Sequence, residues 1–179
     1  MISIRAASAD QTRAVGAALA AALRPGDVVL LTGELGAGKT TFAQGVAAGL
    51  GITVPVTSPT FVLVRPYECA PPHTAANPTG VRHLLHADLY RLEHTTEVSD
   101  LALGELVEDE AAALVEWGDV AAPLLGAAVT VALAIGDGEA EDASDDDGTH
   151  RVLTVELPAD RGTEARTLAE RFDATVVGG

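Results

Sequence analysis

The segment Gly33-Glu34-Leu35-Gly36-Ala37-Gly38-Lys39-Thr40 carries the clearest chemistry in this 179-residue chain. Its pattern is G-x-x-x-x-G-K-[ST]. The glycines let the backbone curl so that successive N–H groups face one phosphate, and a helix starting there adds its partial positive charge. Lys39 has an ammonium that can reach β- and γ-phosphates, and Thr40 a hydroxyl that can ligate Mg2+. A chance match in a chain of this composition is expected about once in a thousand. Lys39 is the only lysine; the other ten cations are arginine. A composition that otherwise uses arginine keeps a compact ammonium on a flexible stem at the one position that needs it. The segment predicts binding of a nucleoside triphosphate.

Turnover needs more than a phosphate cradle. It needs a carboxylate near Mg2+ and a group that orients the nucleophile. Two acids end apolar runs that read as strands, where open α/β sheets place their ligands. They are Asp88, in Leu84-Leu85-His86-Ala87-Asp88-Leu89-Tyr90-Arg91, and Glu116, in Ala112-Ala113-Leu114-Val115-Glu116-Trp117. Ser58-Pro59-Thr60-Phe61 is a third candidate, either a hydroxyl-bearing switch that senses a γ-phosphate or a simple proline turn. His86 reads as a strand packing residue rather than a proton carrier. Trp117, the sole tryptophan, reads as core or interface packing rather than a base-stacking platform.

Positioning these groups takes alternating strands and helices. Ile2 to Arg5 reads as a strand, and Ser8 or Asp10 can cap a helix running through Val15, Leu19 and Leu23 to Arg24-Pro25-Gly26. Asp27 to Thr32 is an apolar run suited to a strand buried on both faces. The phosphate loop follows, then a helix through Phe42, Val46 and Leu50 that stops at Gly51. Strands are expected at Phe61–Tyr67, Val81–Leu89 and Ala112–Glu116, a helix at Glu97–Leu106, and a pairing of Val129–Ile135 with Arg151–Leu157. An amphipathic helix at Arg161–Phe172 closes the chain, and the order indicates an α/β sandwich with a mixed sheet.

The length suits one domain over residues 1–179. Two stretches interrupt it as mobile loops. One is 70–80, rich in proline and small polar residues; the other is 136–148, where seven acids crowd a hairpin connection. The second lacks the D-x-D-x-D-G spacing of a calcium loop. With 26 acids against 11 bases the net charge is −15, which argues against a stand-alone nucleic-acid binder. One cysteine, no membrane-spanning apolar run and no signal-peptide pattern make the cytoplasm the expected compartment.

Taken together, Gly-Glu-Leu-Gly-Ala-Gly-Lys-Thr-Thr-Phe, Ser-Pro-Thr-Phe, His-Ala-Asp-Leu-Tyr-Arg and Val-Glu-Trp resemble the TsaE (YjeE) family in order and spacing, over roughly residues 1–130. That family comprises small bacterial ATPases of tRNA threonylcarbamoyladenosine synthesis. The resemblance implies a P-loop NTPase-like three-layer sandwich on a mixed, mostly parallel sheet. It also implies Mg2+-dependent ATP hydrolysis, weak in the isolated protein, alongside the TsaB–TsaD pair that modifies adenosine 37 of tRNAs reading ANN codons. Contact with tRNA would come indirectly through that complex. By motif, Gly33 and Gly36 to Thr41 (Ala37, Gly38, Lys39 and Thr40 between them) would hold the phosphates, with Lys39 also catalytic. Thr40 and Glu116 would hold Mg2+, and Asp88 would position the attacking water or assist its deprotonation. Ser58 and Thr60 would form the switch, Trp117 would fix Glu116, and Thr12 would lie near the base or ribose. Two other uses of the same loop compete with this one: a small-molecule kinase with a substrate hydroxyl at Asp88, and a nucleotide-gated binding module without turnover.

Overall fold

The computed structural model describes residues 1–59, 63–90, 107, 110–117, 129–139 and 149–176. Eight strands are present among them: β1 (Ile2–Ala6), β2 (Val28–Thr32), β3 (Val64–Glu68), β4 (His83–Asp88), β5 (Ala111–Glu116), β6 (Val129–Glu139), β7 (Thr149–Glu156) and β8 (Thr175–Val176). Among the described residues three α-helices accompany them: α1 (Ala9–Ala20), α2 (Lys39–Gly49) and α3 (Gly162–Arg171). The strands form one sheet in the order β3-β4-β5-β2-β6-β7-β1-β8.

The apolar runs sit where their composition demands. β2 and β5 are buried along essentially their whole length at the centre of the sheet, whereas β1 alternates and turns Ile2, Ile4 and Ala6 to the core. β4, β5, β2 and β6 run parallel; β3 on one flank and β7, β1 and β8 on the other pair antiparallel. The expected mixed sheet is therefore present, but its parallel part is confined to these four central strands. The sequential antiparallel pairs β3–β4 and β6–β7 are hairpin-like returns that need no helical crossover, whereas β1 joins β7 and β8 from the far end of the chain.

Ser8 rather than Asp10 caps α1: its side-chain oxygen accepts the Gln11 N–H at 3.2 Å, and Gln11 Oε1 accepts the Ala7 N–H at 2.7 Å. The α-helix ends at Ala20, short of Leu23, and two tighter turns (Ala22 N–H to Leu19, Leu23 N–H to Ala20) lead into Pro25. α1 and α2 lie close together. A Cβ on Gly45 would stand 2.1 Å from the Arg13 carbonyl oxygen, so this contact accepts only glycine. Both helices bury Val15, Leu19, Phe42, Val46 and Leu50 against one face of the sheet, and α3 adds Leu168 to the same core. The opposite face carries a second apolar cluster, including Val28, Leu30, Leu85, Ala113, Val115 and Val107. The expected helix at Glu97–Leu106 and the first two residues of the expected strand Phe61–Tyr67 lie outside the described residues.

The two stretches expected to be loose differ. Segment 70–80 has no regular secondary structure, yet Asn77 is fully buried within it. Its Nδ2 donates to the carbonyls of Ala70 and Val81, both at 2.8 Å, and its Oδ1 accepts from Thr79. The segment is thus cross-braced by one amide. In the acidic stretch, β6 continues to Glu139 past a register shift and β7 resumes at Thr149, so the hairpin connection is shorter than 136–148; residues 140–148 lie outside the described set. Among the described residues no helix is long and apolar enough to cross a membrane.

Candidate nucleotide site

The parallel strands β2, β4 and β5 end on the same edge of the sheet, and the polar residues of the motifs meet there. Between β2 and α2 the loop turns through Gly33, Gly36 and Gly38, at φ +130, +82 and +102. Gly33 cannot be replaced, because a Cβ there would sit 2.1 Å from the Leu133 carbonyl oxygen of the neighbouring strand. Gly38 is the N-cap of α2 and offers no side-chain cap to the first-turn N–H groups, the arrangement expected where an anion is to cap the helix.

Lys39 folds back over this loop. Its Nζ donates to the carbonyl oxygens of Gly33 at 2.7 Å and Glu34 at 2.8 Å, and lies 3.8 Å from the centre of the Trp117 ring. Trp117 follows β5 in the left-handed region, at φ +59, and packs at 5.0 Å against Tyr90. The tryptophan read as a core or interface residue does pack against the second apolar cluster, and it is also a wall of the cleft, where it meets the loop lysine.

Beneath Lys39 the carboxylates are in register: Asp88 on β4 faces Glu116 on β5, and both are buried. The Thr40 hydroxyl donates to Glu116, with Oε1 at 2.9 Å and Oε2 at 3.2 Å. The Ser58 hydroxyl donates to Asp88 Oδ2 at 2.5 Å, and the Tyr90 N–H donates to Oδ1 at 3.0 Å. Two like charges side by side in a buried place are costly unless something positive shares it. A hydroxyl and carboxylate oxygens are the hard donors that Mg2+ prefers, in a small set that leaves coordination positions for phosphate and water. Among the described residues no group of three or more His, Cys, Asp or Glu side chains forms a metal cage.

A cleft of about 420 Å³ opens over these groups, lined chiefly by Lys39, Thr40, Ser58, Asp88, Glu116 and Trp117. Gly36, Gly38 and Thr41 also border it. Gly33 and Ala37 support the loop from behind, Ala37 being fully buried. Thr12 is placed differently from the other motif residues. It is buried on α1, its hydroxyl bonds to the Ser8 carbonyl at 3.2 Å, and its methyl would touch a Cβ on Gly38 at 3.8 Å. It braces the loop and does not line the cleft. Thr60 lies outside the described residues. The reading of His86 as a packing residue misses its polar contact: Nε2 stands 2.9 Å from Glu116 Oε1. The signal was the two-residue spacing to Asp88, which puts both side chains on one face of β4.

Comparison with known proteins identifies relatives of the chain. The family model for "Threonylcarbamoyl adenosine biosynthesis protein TsaE" matches residues 6–144. A tRNA threonylcarbamoyladenosine biosynthesis protein TsaE from Treponema pallidum is 38% identical over 136 residues, covering 75% of this chain and 93% of its own. The Bacillus subtilis protein of that name is 43% identical over 113 residues, covering 63% of this chain and 64% of its own, so the chain spans just under two thirds of that relative's length. Among solved structures, Bacillus subtilis YdiB superposes with a TM-score of 0.68 at 27% identity, covering 96% of this chain and 97% of that one. The chain belongs to the TsaE family.

Proposed function

We propose that this protein is a Mg2+-dependent ATPase that serves threonylcarbamoylation of adenosine 37 in tRNAs reading ANN codons, together with TsaB and TsaD. The observation that carries the reading is the buried, in-register pair Asp88 and Glu116 beside Thr40 and the uncapped start of α2. The names of the relatives support the pathway, since they are tRNA threonylcarbamoyladenosine biosynthesis proteins. The acidic balance of the chain supports a division of labour in which its partners contact the tRNA.

In this reading the loop N–H groups and the first turn of α2 take the phosphates, and Lys39 exchanges the Gly33 and Glu34 carbonyls for phosphate oxygens. Bound Mg2+ supplies charge neutralisation at the β- and γ-phosphates. Thr40 and Glu116 would hold it, the Thr40 oxygen through lone pairs that its O–H bond to the carboxylate leaves available. Asp88 orients the attacking water and accepts its proton, steadied by the Tyr90 N–H and by Ser58. Trp117 and Tyr90 shield the groups from bulk solvent.

ATP hydrolysis by the purified protein, alone and with the TsaB–TsaD pair, tests the reading, with Lys39→Ala as control. Slow hydrolysis that rises with the partners and vanishes in the variant is expected. Tight ATP binding without stimulation by the partners would favour a kinase or a nucleotide-gated adaptor.

A further inference from the structure

The Glu116 carboxylate is gripped by a residue to which the proposed chemistry gives no part. His86 is fully buried on β4, and its Nε2 lies 2.9 Å from Glu116 Oε1. The Thr40 hydroxyl approaches that same oxygen at 2.9 Å, whereas Oε2 receives only the longer 3.2 Å contact. The other imidazole nitrogen, Nδ1, is buried and meets no hydrogen-bond partner among the described residues. A neutral imidazole has one N–H to place. On Nδ1 it would be a buried donor with nothing to accept it, and Nε2 would set its lone pair against a carboxylate oxygen. On Nε2 it satisfies Oε1, and the orphaned position is the less demanding acceptor.

We infer that His86 is a positioning residue for the metal-binding carboxylate: as the Nε2–H tautomer it donates to Oε1, locks the Glu116 side chain and leaves Oε2 as the oxygen offered to Mg2+. The inference rests on the reading of Glu116 as a Mg2+ ligand. It gives β4 two tasks on one face, with Asp88 acting in the cleft and His86 acting through β5. Ligand-supporting hydrogen bonds of this kind alter metal affinity by about ten- to a hundredfold when removed.

Two measurements test it on the whole 179-residue chain. Nitrogen-15 NMR of the histidine side chains, assigned through bonds, should show His86 as the neutral Nε2–H tautomer; an Nδ1–H tautomer would overturn the inference without any variant having to fold. The second is the Mg2+ concentration giving half-maximal ATP binding. His86→Ala should raise it about tenfold or more, and His86→Gln, whose amide N–H can reach toward Oε1, should recover most of the loss. Glu116→Gln separates the two claims. If it shifts the Mg2+ requirement and His86→Ala does not, the positioning role fails alone; if Glu116→Gln does not shift it, the underlying reading of Glu116 fails.

Discussion

Beside the two ends of β2 lie carboxylates in opposite circumstances, Asp27 partly buried and Glu116 buried. Before its first residue, Asp27 is paired with Arg161: Nη1 donates to Oδ2 at 2.6 Å and Nη2 to Oδ1. The Arg24 N–H adds a bond to Asp27 Oδ2 at 2.7 Å, and Arg161 also reaches the Ala22 carbonyl at 3.1 Å. The hydrogen bond to Asp27 is the main reason the Arg161 guanidinium is held above its ordinary range. Near the other end of β2, Glu116, in register with Leu31, is met among the described residues by a hydroxyl and an imidazole. A carboxylate with a permanent cation is finished as structure. A carboxylate held by a hydroxyl and an imidazole, next to a second carboxylate, still has room for a positive charge from outside. The fold places the first kind where α3 must be stapled to the α1–β2 turn, and the second where strands open onto the cleft.

Breaking the staple should have the largest effect. Arg161→Ala leaves Asp27 without its charge partner in a largely buried place, and should cost about 3 kcal/mol in urea unfolding while ATP turnover per folded molecule stays the same. An equal loss of turnover in the folded fraction would mean that the two ends are coupled. At the cleft, Asp88→Asn keeps shape and hydrogen bonding but removes the proton acceptor. It should retain ATP affinity and lower turnover by about a hundredfold in a steady-state assay. Unchanged turnover would take the water-handling role away from Asp88. The smallest effect concerns Cys69, outside both regions, where burial pushes the thiol up to about 11. Its alkylation in the native protein should be slow. It should quicken in Arg161→Ala, because labelling then reports opening of the fold. Rapid labelling of the wild type would place Cys69 in a more accessible setting than the one seen here.

The phosphate loop, the strand-end acids and the central strands were legible because each rests on local chemistry: glycine conformation, one lysine, apolar runs ended by an acid. The limits lay in contacts between distant segments. Nothing near Asp27 announces Arg161, 134 residues away, and ion pairing leaves no periodic trace in a sequence. Trp117 as a lone aromatic gave no hint of its stack on Lys39, since that contact depends on the left-handed turn after β5. Segment 70–80 was legible as irregular but not as braced, because a single amide such as Asn77 can order a loop of otherwise disorder-prone composition. Thr12, expected near the base or ribose, packs instead beside Gly38, a placement that only the packing of α1 against the loop could show.

The central claim is that Glu116 stands ready for a cation that arrives with the nucleotide. ATP hydrolysis across a Mg2+ titration, wild type beside Glu116→Ala, tests it most directly. The account predicts that the variant still binds ATP but needs about tenfold more Mg2+, or better than that, to reach its half-maximal rate. Superimposable Mg2+ curves for the two proteins would contradict it.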